Sequence, residues 1–274
     1  MRPAVTVRRL AIACAAVFAL CEVAPYLVML SGSLKSLEEV SRVPPTVLPE
    51  ALHPENYRAV FESAPMARYL LNTIVVSGAI AAIQLVLVCL AAYALVFLRA
   101  PGGRGVRLLV LACLLVPPQV RFVPVYVLLA RFDLLDTFFA LVVPHATSAL
   151  GILLVEKAMR AVPPEVVEAA RLDGAGDLAI LGRVVVPMIR PTLVAFALFS
   201  VVYHWNDYFW TLVMTTDDSV RTLPVGVALL REQGTGVRWH VVMAGNVVVT
   251  LPVLVAFAFA QKHLVRAFTW SAGK

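Results

Sequence analysis

Few side chains in this 274-residue sequence could do chemistry, and nearly all of them sit in apolar surroundings. Arg121 stands in the run Pro117-Pro118-Gln119-Val120-Arg121-Phe122-Val123-Pro124-Val125-Tyr126. An ionisable group at membrane depth is costly and ordinarily faces an aqueous pathway or a partner, where it would attract an anionic solute such as a phosphate ester. Snorkelling to an outer interface beside Gln119 accounts for it equally. His204, Trp205, Asn206, Asp207 and Tyr208 form a polar and aromatic cluster suited to stacking on sugars and hydrogen-bonding them, or to an interfacial aromatic belt. Glu22, close to Pro25, reads either as a packing partner or as a pathway residue. His145 and His263 have no partner at ligand spacing, so no metal site is expected. Cys14, Cys21, Cys89 and Cys113 lie in apolar runs without C-x-x-C spacing and read as core or lipid-facing thiols.

Enzymatic signatures are missing. Gly102-Gly103-Arg104-Gly105 has neither the spacing nor the lysine of a phosphate-binding loop, and neither H-E-x-x-H nor G-x-S-x-G occurs. The chain is therefore expected to hold no cofactor and to hydrolyse no nucleotide itself.

What must position these groups follows from composition. Hydrophobic residues make up 61% of the chain and charged residues only 15%, against roughly 25% charged in an average soluble domain. So much apolar surface must face lipid. The net charge of +6 is scattered, which points to cytoplasmic loops rather than a nucleic-acid surface. Bulky Leu20 stands where a cleavage site before Cys21 would need a small residue, so the first apolar run reads as an uncleaved span.

A membrane-crossing helix needs about 20 mostly apolar residues. Six such runs are found, approximately Leu10 to Leu30, Thr73 to Leu98, Leu108 to Leu129, Thr137 to Val155, Pro191 to Met214 and Val241 to Ala260. The second carries only Gln84 and small hydroxyls as polar side chains, whereas the third holds Pro117, Pro118, Gln119 and Arg121. Pro144, Pro191 and Pro252 predict kinks in the last three. An all-α integral membrane protein with six transmembrane helices is expected. With six spans both termini share one side, and that side collects 14 Lys and Arg residues against 9 on the other. Both termini should therefore be cytoplasmic, as should the loop between spans four and five. The segment from Ser31 to Arg68, which holds Pro44, Pro45, Pro49 and Pro54 with five glutamates, reads as an external excursion.

The loop between spans four and five is the most specific feature. In Pro163-Pro164-Glu165-Val166-Val167-Glu168-Ala169-Ala170-Arg171-Leu172-Asp173-Gly174-Ala175-Gly176-Asp177, Pro164 suits a first helical turn and Glu165 complements the dipole there. Gly174 suits a left-handed C′ position, and Asp177 is expected to cap a second helix. Ala169 and Ala170 offer a flat surface for close approach, with Glu168 free to meet a partner's arginine.

Glu168-Ala169-Ala170, Gly174, Val184, Val186 and Pro187 stand at the spacing of the EAA loop and resemble that motif of bacterial ABC importer permeases. A chance match is on the order of one in ten million from average residue usage, and about a hundredfold commoner in a chain rich in Ala and Val. The rest of the chain resembles the carbohydrate-type, maltose-transporter-like permeases. The similarity lies in Asn56-Tyr57, Tyr69, Asn72-Thr73, Ala92-Tyr93-Ala94, Pro124-Val125-Tyr126, Leu134-Leu135-Asp136-Thr137, Trp205-Asn206-Asp207, Thr222-Leu223-Pro224 and Leu251-Pro252. The run around Arg121 and Trp239-His240-Val241-Val242-Met243-Ala244 are similar to the glycerol-3-phosphate importers within that family. Departures are Val184 and Val186 for Ile and Leu, Thr211 after Trp210 where proline is common, and a tail, Ala267 to Ala272, without the usual glycines.

The resemblance implies a bacterial inner-membrane permease subunit whose EAA loop, within residues 163–190, is a cytoplasmic coupling helix. Glu168, Ala169, Ala170, Gly174 and Pro187 would meet a partner ATPase, while Arg121, Trp205, Asn206 and Asp207 would line a substrate pathway. It further implies a second permease subunit, two ABC ATPase subunits that bind ATP and Mg, and an extracytoplasmic solute-binding protein. The expected organisation is an N-terminal helix and external segment over 1–69, a five-helix core over 70–265 and a cytoplasmic tail over 266–274. A stand-alone secondary transporter or channel is the alternative from a different class, but it leaves the docking loop unexplained.

Overall fold

A computed structural model describes the backbone of residues 2–98, 102–231 and 237–272, and side chains over 8–98, 102–231, 237–259 and 261. His263 and the side chains of the tail lie outside the described residues. The described residues form helices joined by turns, without strands. In chain order these are α1 (Arg2–Gly32), α2 (Leu37–Val40), α3 (Glu55–Ser63), α4 (Met66–Val96), α5 (Gly103–Leu115), α6 (Pro118–Arg131) and α7 (Phe138–Val142). A 3-10 turn, Val143–His145, leads to α8 (Ala149–Arg160), α9 (Pro164–Leu172) and α10 (Asp177–Ile180). A π segment, Leu181–Val185, then joins α11 (Val186–Met188), followed by α12 (Arg190–Trp205), α13 (Phe209–Met214), α14 (Leu223–Leu229) and α15 (Trp239–Ala272).

Three stretches, Arg8–Gly32, Met66–Val96 and Trp239–Phe259, are single helices long and apolar enough to cross a bilayer. The apolar side chains of α1 stay outward, Leu10, Phe18 and Leu20 among them, as lipid-facing or subunit-facing surface requires, whereas α4 buries Val76, Ile80 and Val88. The remaining expected spans are broken. α5 and α6 meet at 95°, because Pro118 cannot donate a backbone bond and its ring holds Val116–Pro117 in extended backbone. The stretch Phe138–His145 bends by 44° into α8, where Ser148 restarts the helix by accepting the Gly151 N–H at 3.1 Å. Counting each bent pair as one span, the chain accommodates up to six crossings.

The fifth run departs from the expected single helix over Pro191 to Met214. α12 ends at Trp205, and α13 begins only at Phe209. Asn206 folds its amide back onto the Val202 carbonyl at 2.8 Å, and Asp207 accepts the Trp210 N–H at 3.1 Å to open the next helix. At its other end α12 turns by 85° from Asp177–Met188.

The chain divides into two compact units, 1–67 with 225–252 and 68–224 with 253–274. In the first, the proline-rich excursion is tied to itself. Buried Asn56 donates to the carbonyls of Ser33 at 3.0 Å and Lys35 at 2.8 Å, and the Tyr57 and Ser33 hydroxyls meet at 2.7 Å. Glu39 accepts from the Thr46 hydroxyl and the Glu50 N–H.

In the second unit, Asn72, Thr73 and Trp210 prove to be clamps. Asn72 donates to the carbonyls of Ser219 and Arg221, both at 2.9 Å. Thr73 accepts the Leu223 N–H at 2.8 Å, and Trp210 Nε1 donates to the Ala140 carbonyl at 3.0 Å. Packing there is close enough to exclude a methyl group. A Cβ added at Gly151 would stand 2.5 Å from the Phe196 ring and 3.1 Å from Val88. Gly151→Ala is therefore expected to destabilise the chain by about 1–3 kcal/mol, read as a lower melting temperature in detergent; an unchanged melt would contradict this packing.

Asp136 takes a left-handed φ of 55°. Its carboxylate accepts the Thr216 N–H, the Thr216 hydroxyl at 2.7 Å and the Asp217 N–H at 2.8 Å. Burial opposes its charge, but the hydrogen bonds from Asp217 and Thr216 outweigh that and hold the carboxyl below its ordinary range. A carboxyl depressed by folding stabilises above its unfolded pKa of about 3.9 and loses that contribution as pH falls through the folded value. Asp136→Asn should lower the melting temperature at pH 7 by about 2–4 °C, the shift that about 1 kcal/mol produces at this size. The gap to wild type should close below about pH 4, and a pH-independent gap would contradict the assignment.

Candidate functional site

Helix α9 is amphipathic in a specific sense: one face is built into the chain and the other is bare. Pro164 occupies the first turn with Glu165 beside it, and the helix closes at Gly174 with φ 79°. The Gly174 N–H reaches the Arg171 carbonyl and the Ala175 N–H reaches Ala170, both at 3.0 Å, the paired bonds of a left-handed C-terminal turn. The expected cap at Asp177 is not what forms. Gly176 is the cap position and Asp177 the first helical residue, because its carboxylate is already engaged. It accepts from the Tyr93 hydroxyl at 2.9 Å and from Arg171 at 3.2 Å, binding the turn to the end of α4.

Val167 and Ile180 are fully buried in an apolar cluster with Val88, Ala92, Met159 and Phe196, against which Ala170 and Ala175 also pack. Glu168, Ala169, Gly174 and Pro187 are exposed. Leu172 and Leu178, flanking the glycine turn, are 90% and 76% exposed.

A second feature lies where the broken helices meet. A cavity of about 270 Å³ is lined by Arg121, Gln84, Ser200, Tyr203, His145 and His204, among others. Gln84 organises its polar wall, accepting the Ser200 hydroxyl at 2.8 Å and donating to the His145 carbonyl at 2.7 Å. The His145 and His204 rings lie 4.9 Å apart, and Trp210 meets His145 edge-on at 4.7 Å. Arg121 is exposed, and no described carboxylate lies within ion-pair distance of it. A groove of about 580 Å³ is lined by Phe199, Val202, Tyr203, Asn206, Asp207, Tyr208 and Phe209.

The structure thus brings Arg121 to the polar cavity and Asn206 and Asp207 to the groove, while Trp205 is buried and lines neither. Sequence reasoning passes over Gln84, Ser200 and His145 as site residues. Gln84, the one amide in an otherwise apolar run, is the available signal. His145 is not without a partner of ligand type, as its sequence spacing suggests, because the fold supplies His204 and Asp207.

The family described as "Binding-protein-dependent transport system inner membrane component" matches residues 84–270. The chain belongs to this family. It is similar to the sn-glycerol-3-phosphate transport system permease protein UgpE of Yersinia pestis, 29% identical over 248 residues that cover 88% of each chain. It is also similar to the arabinooligosaccharides transport system permease protein AraQ of Halalkalibacterium halodurans, 26% identical over 257 residues, covering 93% and 92%. A solved bacterial ABC transporter involved in import of the acidic polysaccharide alginate shares the fold. Its TM-score is 0.83 at 24% identity, over 96% of this chain and 98% of that one. The resemblance read from the EAA-like loop and the scattered motifs holds, and the chain is a membrane component of a transport system of this family.

Proposed function

We propose that the chain is the permease subunit of an ATP-driven, binding-protein-dependent importer for a carbohydrate or glycerol-3-phosphate-like solute, coupled to partner ATPases through α9. The observation that carries this is the two-faced helix. Its inner face is locked into the apolar cluster, and its outer face presents Glu168 and Ala169, with exposed Leu172 at its end and exposed Leu178 across the glycine turn. Exposed apolar side chains grouped beside a small-residue face and a carboxylate suit contact with another surface.

In this reading the ATPases bind ATP and Mg, and their closure moves α9 as a lever. Because Tyr93 and Arg171 tie Asp177 to the end of α4, displacement of the turn is passed to the spans. Alternating access is then a shift between two packed states, driven by nucleotide and by the loaded solute-binding protein. The second permease subunit covers part of the exposed apolar surface that the described helices present. Both termini and α9 face the cytoplasm, following the excess of basic residues. For the solute, the polar wall of Gln84, Ser200 and His204 beside the unpaired charge of Arg121 favours a hydroxylated molecule carrying an anionic group, in keeping with the name of the Yersinia relative.

Purification of the tagged chain in mild detergent tests this reading. ATPase and second permease subunits should accompany it, and the preparation should hydrolyse ATP faster when the loaded binding protein is added. A chain that purifies alone and drives uptake from an ion gradient would instead establish the secondary-transporter reading.

A further inference from the structure

Two histidines and a carboxylate converge where spans four and five are broken. His145 closes the 3-10 turn, His204 lies in the last turn of α12, and Asp207 occupies the gap before α13. One ligand-capable atom from each lies within 4.8 Å of the others, and His145 Nε2 stands 4.0 Å from Asp207 Oδ2. Both histidines are 8% exposed, yet His145 Nε2 and His204 Nδ1 have no hydrogen-bond partner. Burying such atoms unpaired is costly, and each calls for an occupant. Both are closed off from the cavity surface, so a solute in the cavity does not reach them.

The surrounding bonds leave the three groups available. Asp207 uses Oδ1 for the Trp210 N–H at 3.1 Å, which leaves Oδ2 toward His145. Gln84 approaches His204 Nε2 only at 3.4 Å, too long to dictate the tautomer.

We propose that His145, His204 and Asp207 bind one divalent transition-metal ion of the zinc type, stapling the break in span four to the break in span five. Imidazole and carboxylate are the donor set that zinc and cobalt take. An ion equidistant from atoms 4.0–4.8 Å apart would stand about 2.3–2.8 Å from each, so side-chain rotations of a few tenths of an ångström reach the usual 2.0–2.2 Å, a tolerance within rotamer wells. Asp207 supplies the one negative charge of the donor set, which a divalent cation between two neutral imidazoles requires. An ion held there joins two elements that alternating access must move, and so favours one state over the other.

The test uses the full-length chain with a histidine-free affinity tag, purified in detergent with its accompanying subunits, stripped by chelator and titrated with Co²⁺. A visible absorption band should saturate at about one Co²⁺ per chain and bleach on addition of Zn²⁺. In the double variant His145→Gln, His204→Gln the affinity should fall at least about tenfold. Should that variant fail to fold, the isosteric Asp207→Asn makes the same comparison. Absence of the band in wild type, or an unchanged band and affinity in the variant that folds, would overturn the proposal.

Discussion

Glu168→Ala is expected to reduce solute uptake and solute-stimulated ATP hydrolysis by about 10- to 100-fold, the equivalent of the roughly 1.5–3 kcal/mol carried by a hydrogen bond to a charged group. The amount of protein in the membrane should not change. Glu168 is exposed, whereas stability in this region comes from Val167, Ile180 and their apolar neighbours. Truncating an exposed carboxylate on such a helix opens no cavity, so the loss expected is that of a contact to another chain. Measurement of both rates at matched expression separates coupling from folding. Unchanged uptake would remove Glu168 from the docking surface, and a loss of membrane-inserted protein would make it a stability residue.

Arg121→Gln should raise the uptake KM for an anionic phosphate ester about tenfold or more, while changing that for a neutral sugar by less than about twofold. The expectation follows from an arginine that lines a polar cavity without a described carboxylate to neutralise it. A charge in that position is free to attract an anion, and glutamine keeps most of the volume and the hydrogen-bonding capacity while removing the charge. Competition between labelled glycerol 3-phosphate and unlabelled disaccharides measures the discrimination. Equal losses for both solutes would place Arg121 in packing or in contact with the second permease subunit.

Much of this arrangement is legible in the sequence, and the parts that are not have a common physical cause. Apolar runs report that a segment lies in lipid, and the residues around Gly174 report a helix, a left-handed turn and a second helix, because both are local properties. The prolines at 117 and 118 report a break but not its angle of 95°, which depends on how α5 and α6 pack afterwards. The interruption at Asn206 and Asp207 carries no proline, so the run Pro191 to Met214 reads as continuous until the fold turns those side chains onto Val202 and Trp210. Long-range neighbours are less legible still. Asn72, Thr73 and Trp210 show only as motif positions, whereas the structure gives each a backbone partner far along the chain. Spacing alone leaves His145 isolated, and only the packing of spans four and five brings His204 and Asp207 to it.

Solute movement powered by ATP through partner subunits is the property on which the other expectations rest. Its most direct test is uptake of labelled glycerol 3-phosphate at submicromolar concentration by source cells with and without the chain, with ion gradients collapsed by ionophores while ATP is maintained. Uptake should disappear on deletion and survive collapse of the gradients. Uptake that fails when the gradients fail would contradict ATP-driven import, and uptake that persists without the chain would assign it a neutral sugar or polyol instead.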